Sequence, residues 1–179
     1  MSVVFSGICE RGSSLSKNID ETPLAGLDGI DKAILAELQK DGRLSNVQLA
    51  AKVGLSESAC LRRVRALEQG GVIVRYVMLL DQAAIGKPGN VFVRVTLEGQ
   101  RRETLSRFEA AIATVPEVME CYLMSGDVDY LLRVIVRDNN DYVRVHDKLT
   151  ALPGVLRLQS SFVLRTVLSR TELPLDGLP

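Results

Sequence analysis

Tryptophan is absent, histidine occurs once (His146), and the three cysteines, Cys9, Cys60 and Cys121, lie far apart with no CxxC pair. A structural zinc site draws on about four clustered cysteine or histidine ligands, so none is expected. An odd cysteine count without disulfide spacing fits a reducing cytoplasm. An excess of one charge is also lacking: 22 basic residues balance 22 acidic ones. Bulk charge therefore does not announce nucleic-acid binding, and any such argument has to be local. No apolar run approaches the roughly 20 residues that cross a bilayer. The first residues lack the basic-then-apolar pattern of a secretory signal, so neither a membrane nor a secreted destination is expected. Walker and Rossmann glycine loops are missing. His146 has no nucleophile or carboxylate at a telling spacing, so no catalytic residue and no cofactor is expected.

What remains is a chain of 179 residues, 46% hydrophobic and 25% charged, long enough for two small domains with proper cores. Residues 1–25 are rich in Ser and Gly without sustained periodicity and read as a flexible tail. Order is expected from Leu27, where Leu27, Ile30, Ile34 and Leu38 fall at helical spacing and Asp41-Gly42 supplies a stop. Ser45-Asn46-Val47-Gln48 has the form of a capping box. It opens a helix whose Val47, Leu49, Ala50 and Val53 should face inward. Gly54 permits the left-handed turn that ends this helix. Ser56 then caps a third helix with Cys60, Val64 and Leu67 as its buried stripe. After Gly70-Gly71, a strand is expected to run from Val72 through Tyr76 to Leu80 as part of a two-stranded wing. Residues 26–78 thus read as a winged helix-turn-helix, which presents its last helix to the major groove of double-stranded DNA.

Between Ser56 and Arg75 the four arginines Arg62, Arg63, Arg65 and Arg75 outnumber Glu57 and Glu68. On the third helix the side opposite the buried stripe carries Ser58, Leu61, Arg62 and Arg65. Arg62 is the candidate for guanine, whose O6 and N7 match a guanidinium fork. Ser56, Ser58 and Arg65 are candidates for positioning on the phosphate backbone, as is Asn46 at the start of the second helix. Arg63 borders the buried stripe and could serve either a phosphate or a neighbouring carboxylate.

Residues 79–90 read as a linker, and from Val91 the period changes. Val91, Val93, Val95 and Leu97 alternate with polar or exposed positions as on a half-buried strand. A helix is expected over 103–115, strands over 119–125 and 130–137, a helix through Tyr142, Val145 and Leu149, and a long final strand over 155–167. That β-α-β-β-α-β order over 91–170 predicts a ferredoxin-like unit, so the fold class is α+β. Residues 171–179 read as a C-terminal tail. Cys60 and Cys121 fall on the buried parity of their elements. Met124 alternates outward from Cys121 and Leu123, where it lines an interface or simply packs.

Several stretches resemble the Lrp/AsnC family of bacterial transcriptional regulators. They are Leu27-Asp28-Gly29-Ile30-Asp31 through Leu35, Leu38-Gln39-Lys40-Asp41-Gly42-Arg43, Val53-Gly54-Leu55-Ser56, Arg63-Val64-Arg65-Ala66-Leu67-Glu68 and Gly71-Val72-Ile73. Ser125-Gly126-Asp127-Val128-Asp129-Tyr130 resembles that family's ligand-domain signature. The likeness runs from Leu27 to about Ser169. One departure is Arg75, where the family usually places glycine before the wing tyrosine.

The resemblance implies a regulator that answers to an amino-acid effector. It also implies dimers paired through the sheets of RAM-type C-terminal domains, commonly assembled into octamers, on a pseudo-palindromic operator. The effector is expected between dimers near Met124, Gly126, Asp127, Asp129 and Tyr130. Gly126 would let backbone amides approach a carboxylate, Asp127 or Asp129 would pair with an ammonium, and Tyr130 would close one side. Read from the residues alone, Gly-Asp is also ordinary turn chemistry, in which Asp127 would bond only its own backbone. The rival reading is a metabolic enzyme subunit or ligand-sensing assembly protein that uses the same unit without DNA.

Overall fold

The computed structural model describes residues 26–175. The chain divides into two compact units, residues 26–77 with 170–175, and Met78–Ser169. Expectations for residues 1–25 and 176–179 lie outside the described residues.

The first unit is built on three helices, α1 (Gly29–Lys40), α2 (Asn46–Val53) and α3 (Glu57–Gln69). Each begins where a short polar side chain takes over the orphaned amides of the first turn. Asp28 caps α1 by accepting from the amides of Ile30 and Asp31, while Asp31 accepts from the amide of Asp28. Ser45 and Gln48 form the expected capping box on α2. Gly54 ends α2 at φ 70°, a left-handed conformation that L side chains rarely adopt. Ser56 caps α3 by accepting from the amide of Ala59. Ile34, Leu35, Leu49, Ala50, Cys60 and Leu67 form the core, with Val53 and Val64 packed against it.

Two expectations fail in this unit. Val47 is 56% exposed. It lies about 200° around α2 from Leu49, so the two cannot share one buried stripe. The segment after Gly71 forms no ladder, so no wing strand exists over 72–80 among the described residues. A strand needs a hydrogen-bonding neighbour, and no described segment pairs with these residues. Instead Tyr76 is pinned to α3 through its hydroxyl, which donates to Glu68 Oε1 at 3.1 Å. The described part of the C-terminal tail is held to this unit. Gln39 and Leu173 exchange two hydrogen bonds, and Leu175 packs on the core.

The second unit comprises β1 (Gly89–Leu97), α4 (Arg102–Ile112), β2 (Val118–Leu123), β3 (Tyr130–Val136), α5 (Asn139–Thr150) and β4 (Val155–Phe162). The strands are antiparallel in the order β2-β3-β1-β4, the ferredoxin-like arrangement expected from the chain. Val91, Val93, Val95, Leu132 and Val134 face α4 and α5, which contribute Phe108, Ile112, Tyr142, Val145 and Leu149 to one core. Neither helix of this unit covers the other face, where Phe92 and Arg94 are exposed. β4 ends at Phe162 rather than at 167 because pairing with β1 stops there. Cys121 is exposed, not buried, because β2 is an edge strand.

Candidate nucleic-acid interface and effector loop

α3 positions its side chains by helical geometry. With Cys60, Val64 and Leu67 drawn into the core, Ser58, Leu61, Arg62 and Arg65 are left exposed on the opposite side, as the sequence predicts. Ser56 Oγ lies 3.3 Å from Ser58 Oγ at the N-terminal end, where free amides favour a phosphate oxygen. Among the described residues neither Arg62 nor Arg65 makes a hydrogen bond or ion pair, so both guanidinium groups are available. That surface can accept a polyanion and present fork-shaped donors to base edges.

Arg63 and Asn46 do something else. Arg63 Nη1 lies 2.7 Å from Asp28 Oδ2 and 2.8 Å from Asp31 Oδ1. Of its two anticipated partners, the structure selects the carboxylates over an outward phosphate position. The Asp31 amide, and after it the Arg63 guanidinium, hold the Asp28 carboxyl below its ordinary range. Asn46 Nδ2 donates to the Glu57 carbonyl at 2.8 Å, and its Oδ1 is shielded without a partner. This bond makes Asn46 a bridge between α2 and α3. The sequence reading missed Asp28 and Asp31, although their Asp-x-x-Asp spacing was a capping signal in plain view.

The β2–β3 loop sorts its five candidates into two groups. Gly126 sits at φ 127°, and a Cβ added there would meet nothing within 4 Å, so open space adjoins a backbone that only glycine adopts easily. Asp127 and Met124 are exposed beside it, and the Asp127 carboxylate has no hydrogen-bond partner among the described residues. It does not bond its own backbone, the alternative that turn chemistry left open.

Asp129 and Tyr130 point the other way. Asp129 is 5% exposed; its Oδ2 accepts from the Leu97 amide and its Oδ1 from Gln100 Nε2, both at 2.7 Å. Both oxygens are spent on β1 and the turn after it, which corrects the ammonium-pairing role given to Asp129. Tyr130 is 1% exposed, its ring centroid 4.7 Å from that of Phe108, and its hydroxyl donates to Glu109 Oε1 at 2.8 Å. Burial, and then the Glu109 carboxylate, push the Tyr130 phenol well above its usual range. A ring locked in the core cannot close over a ligand at the surface, so that assignment is corrected too. Gln100 and Glu109 escaped the sequence reading because each meets its partner from more than twenty positions away.

No helix among the described residues is long and apolar enough to cross a membrane. No group of three or more His, Cys, Asp or Glu among them could hold a metal ion.

Comparison with known proteins bears on both units. Residues 27–74 match the family model for winged helix-turn-helix DNA-binding, and residues 90–173 match that for the Lrp/AsnC ligand binding domain. The chain is 46% identical over 153 residues to the Bkd operon transcriptional regulator of Pseudomonas aeruginosa, covering 85% of this chain and 100% of that protein. It is 41% identical over 152 residues to the leucine-responsive regulatory protein of Escherichia coli, covering 84% and 93%. Among solved structures, an AsnC family transcriptional regulator from Agrobacterium tumefaciens superposes with a TM-score of 0.80 at 42% identity, covering 83% of this chain and 97% of the other. A transcriptional regulator from Neisseria meningitidis, solved in complex with L-methionine, gives 0.80 at 38%, covering 84% and 98%.

Proposed function

Because the chain belongs to the Lrp/AsnC family of transcriptional regulators and is not an enzyme, we propose how it finds its operator and what modulates it. α3 enters the major groove of double-stranded DNA with Ser56 and Ser58 leading. Arg62 reads guanine, and Arg65 holds the phosphate backbone. Two copies paired through their uncovered sheet faces present two such helices to a pseudo-palindromic site in the cytoplasm. Pairs assemble further, toward an octamer. The effector is an amino acid held at the β2–β3 loop. Amides beside Gly126 take its carboxylate, Asp127 its ammonium, and Met124 lines the side-chain end. The methionine complexes of neighbouring structures support this class of ligand. For the effector to regulate, its affinity must differ between the assemblies it shifts.

The observation that carries the DNA reading is the exposed side of α3, whose two outward arginines have no partner among the described residues. It is tested with a duplex recovered by in vitro selection against the full chain. Arg62→Ala should weaken that complex by about 1–3 kcal/mol and relax preference at one base position. Wild-type binding should weaken steeply with salt. An unchanged isotherm and footprint would remove Arg62 from base reading. A pure assembly protein would yield no selective complex at any salt.

A further inference from the structure

The apolar seam that joins α3 to the rest of its unit is small, with Cys60 and Leu67 buried and Val64 partly so. Apolar contact holds helices together, but it is non-directional and leaves rotation and sliding weakly specified. Directional bonds therefore decide where the outward arginines aim. Two contacts from the preceding helices reach α3, besides the Tyr76 hydroxyl that donates to Glu68 near its C-terminal end. Asn46 Nδ2 donates to the Glu57 carbonyl in the first turn, and Arg63 Nη1 bridges Asp28 and Asp31 at mid-helix.

The division of labour at the second contact is informative. Asp28 spends Oδ1 on the amides that begin α1 and Oδ2 on Arg63. Asp31 spends Oδ2 on the Asp28 amide and Oδ1 on Arg63. The capping box of α1 thus doubles as the socket for a side chain of α3. We infer that Arg63 is a positioning residue: by docking into the α1 capping box it fixes the rotation of α3, and through it the aim of Arg62 and Arg65 at DNA. This inference rests on the DNA reading above and deepens it, because a residue of the arginine cluster acts without touching DNA.

The sign of one substitution separates this role from direct contact. Asp31→Asn keeps an oxygen for the Asp28 amide but turns an amide NH2 toward Arg63, so the cap survives and the socket fails. A clamp predicts weaker selective binding. A phosphate-contacting Arg63 predicts equal or tighter binding, because a repelling carboxylate is gone and the guanidinium is released.

The experiment is fluorescence anisotropy on the full chain with the selected duplex and a scrambled duplex of equal length, across a salt series, at a temperature where circular dichroism shows every variant folded. Asp31→Asn and Arg63→Met should each lower the selected-to-scrambled affinity ratio by about threefold per recognition helix, hence about tenfold for a two-helix complex. The salt slope on the selected duplex should not change. The double variant should be no worse than either single one, because both break the same contact. Arg63→Lys should restore the ratio, since a single nitrogen makes both contacts.

A fall in salt slope by about one for Arg63→Met would overturn the clamp and make Arg63 a phosphate contact. So would undiminished selective binding by Asp31→Asn. A lower melting temperature with an unchanged affinity ratio would reduce the contact to mere stability and also overturn it. If selection against the wild type recovers no preferred duplex, the DNA reading itself fails and the clamp falls with it.

Discussion

Asp127 and Asp129 are separated by one residue, yet the structure gives them opposite consequences when truncated. The Asp129 carboxylate is 5% exposed and accepts from two donors, the Leu97 amide and Gln100 Nε2. Replacing it with alanine strands the Leu97 amide in a residue that is only 4% exposed. A hydrogen bond to a charged acceptor contributes about 1.5–3 kcal/mol, and a buried donor left unpaired costs about 1–3 kcal/mol. Gln100 sits at the surface and can turn to water, so only the Leu97 bond carries its full weight. The expected destabilisation of Asp129→Ala is about 2–3 kcal/mol. For a unit of about ninety residues this corresponds to a Tm drop of about 10–20 °C. Asp127→Ala removes an exposed side chain with no hydrogen-bond partner among the described residues and should shift Tm by less than about 2 °C. It should instead abolish the stabilisation that an amino-acid effector gives by mass action. Thermal unfolding by circular dichroism, with and without L-methionine as the first probe, reads both effects, and hydrogen exchange at the Leu97 amide reports the local anchor. If Asp129→Ala melted with the wild type, the idea that this carboxylate ties the loop to β1 would be refuted. A ligand shift that survives Asp127→Ala would refute the pocket.

Other perturbations test the same structure from different sides. Gly126→Ala forces a Cβ onto a backbone at φ 127°, where strain of about 1–3 kcal/mol is expected. Because the added atom meets open space, the loss should come with a displaced loop, and heteronuclear NMR shifts should be confined to the β2–β3 hairpin. Tyr130→Phe deletes the bond to Glu109, for a loss of about 1 kcal/mol in urea melts at neutral pH. The folded Tyr130 phenol titrates above its unfolded value of about 10. Its contribution is therefore intact below that pH and fades as pH rises beyond it, so the alkaline loss of stability should be shallower in Tyr130→Phe. At the acid end Asp28 is depressed, first by the Asp31 amide and then by Arg63. Its contribution is present above the unfolded value of about 4 and is lost as pH falls through the folded one. Asp28→Asn should accordingly flatten the acid limb of a melting-temperature profile, and an unaltered limb would exclude this cap from acid unfolding.

The chain by itself determined whatever depends on neighbours along the backbone. Ser45, Ser56 and Gly54 set the ends of α2 and α3 because capping and left-handed turns are settled within three or four residues. Alternation from Val91 to Leu97 set β1, and helical spacing set the outward face of α3, because period alone decides which side is buried. Tertiary structure decided what each polar group meets. Arg62 and Arg63 are adjacent and chemically identical, yet one is open to solvent and the other is bound to α1, through partners more than thirty positions away. Asp127 and Asp129 diverge for the same reason, since only the closing of β1 beside β3 brings the Leu97 amide and Gln100 to one carboxylate and not to the other. The wing strand failed as an expectation because a ladder is a property of two segments, and residues 72–80 have the composition of a strand without a pairing partner among the described residues.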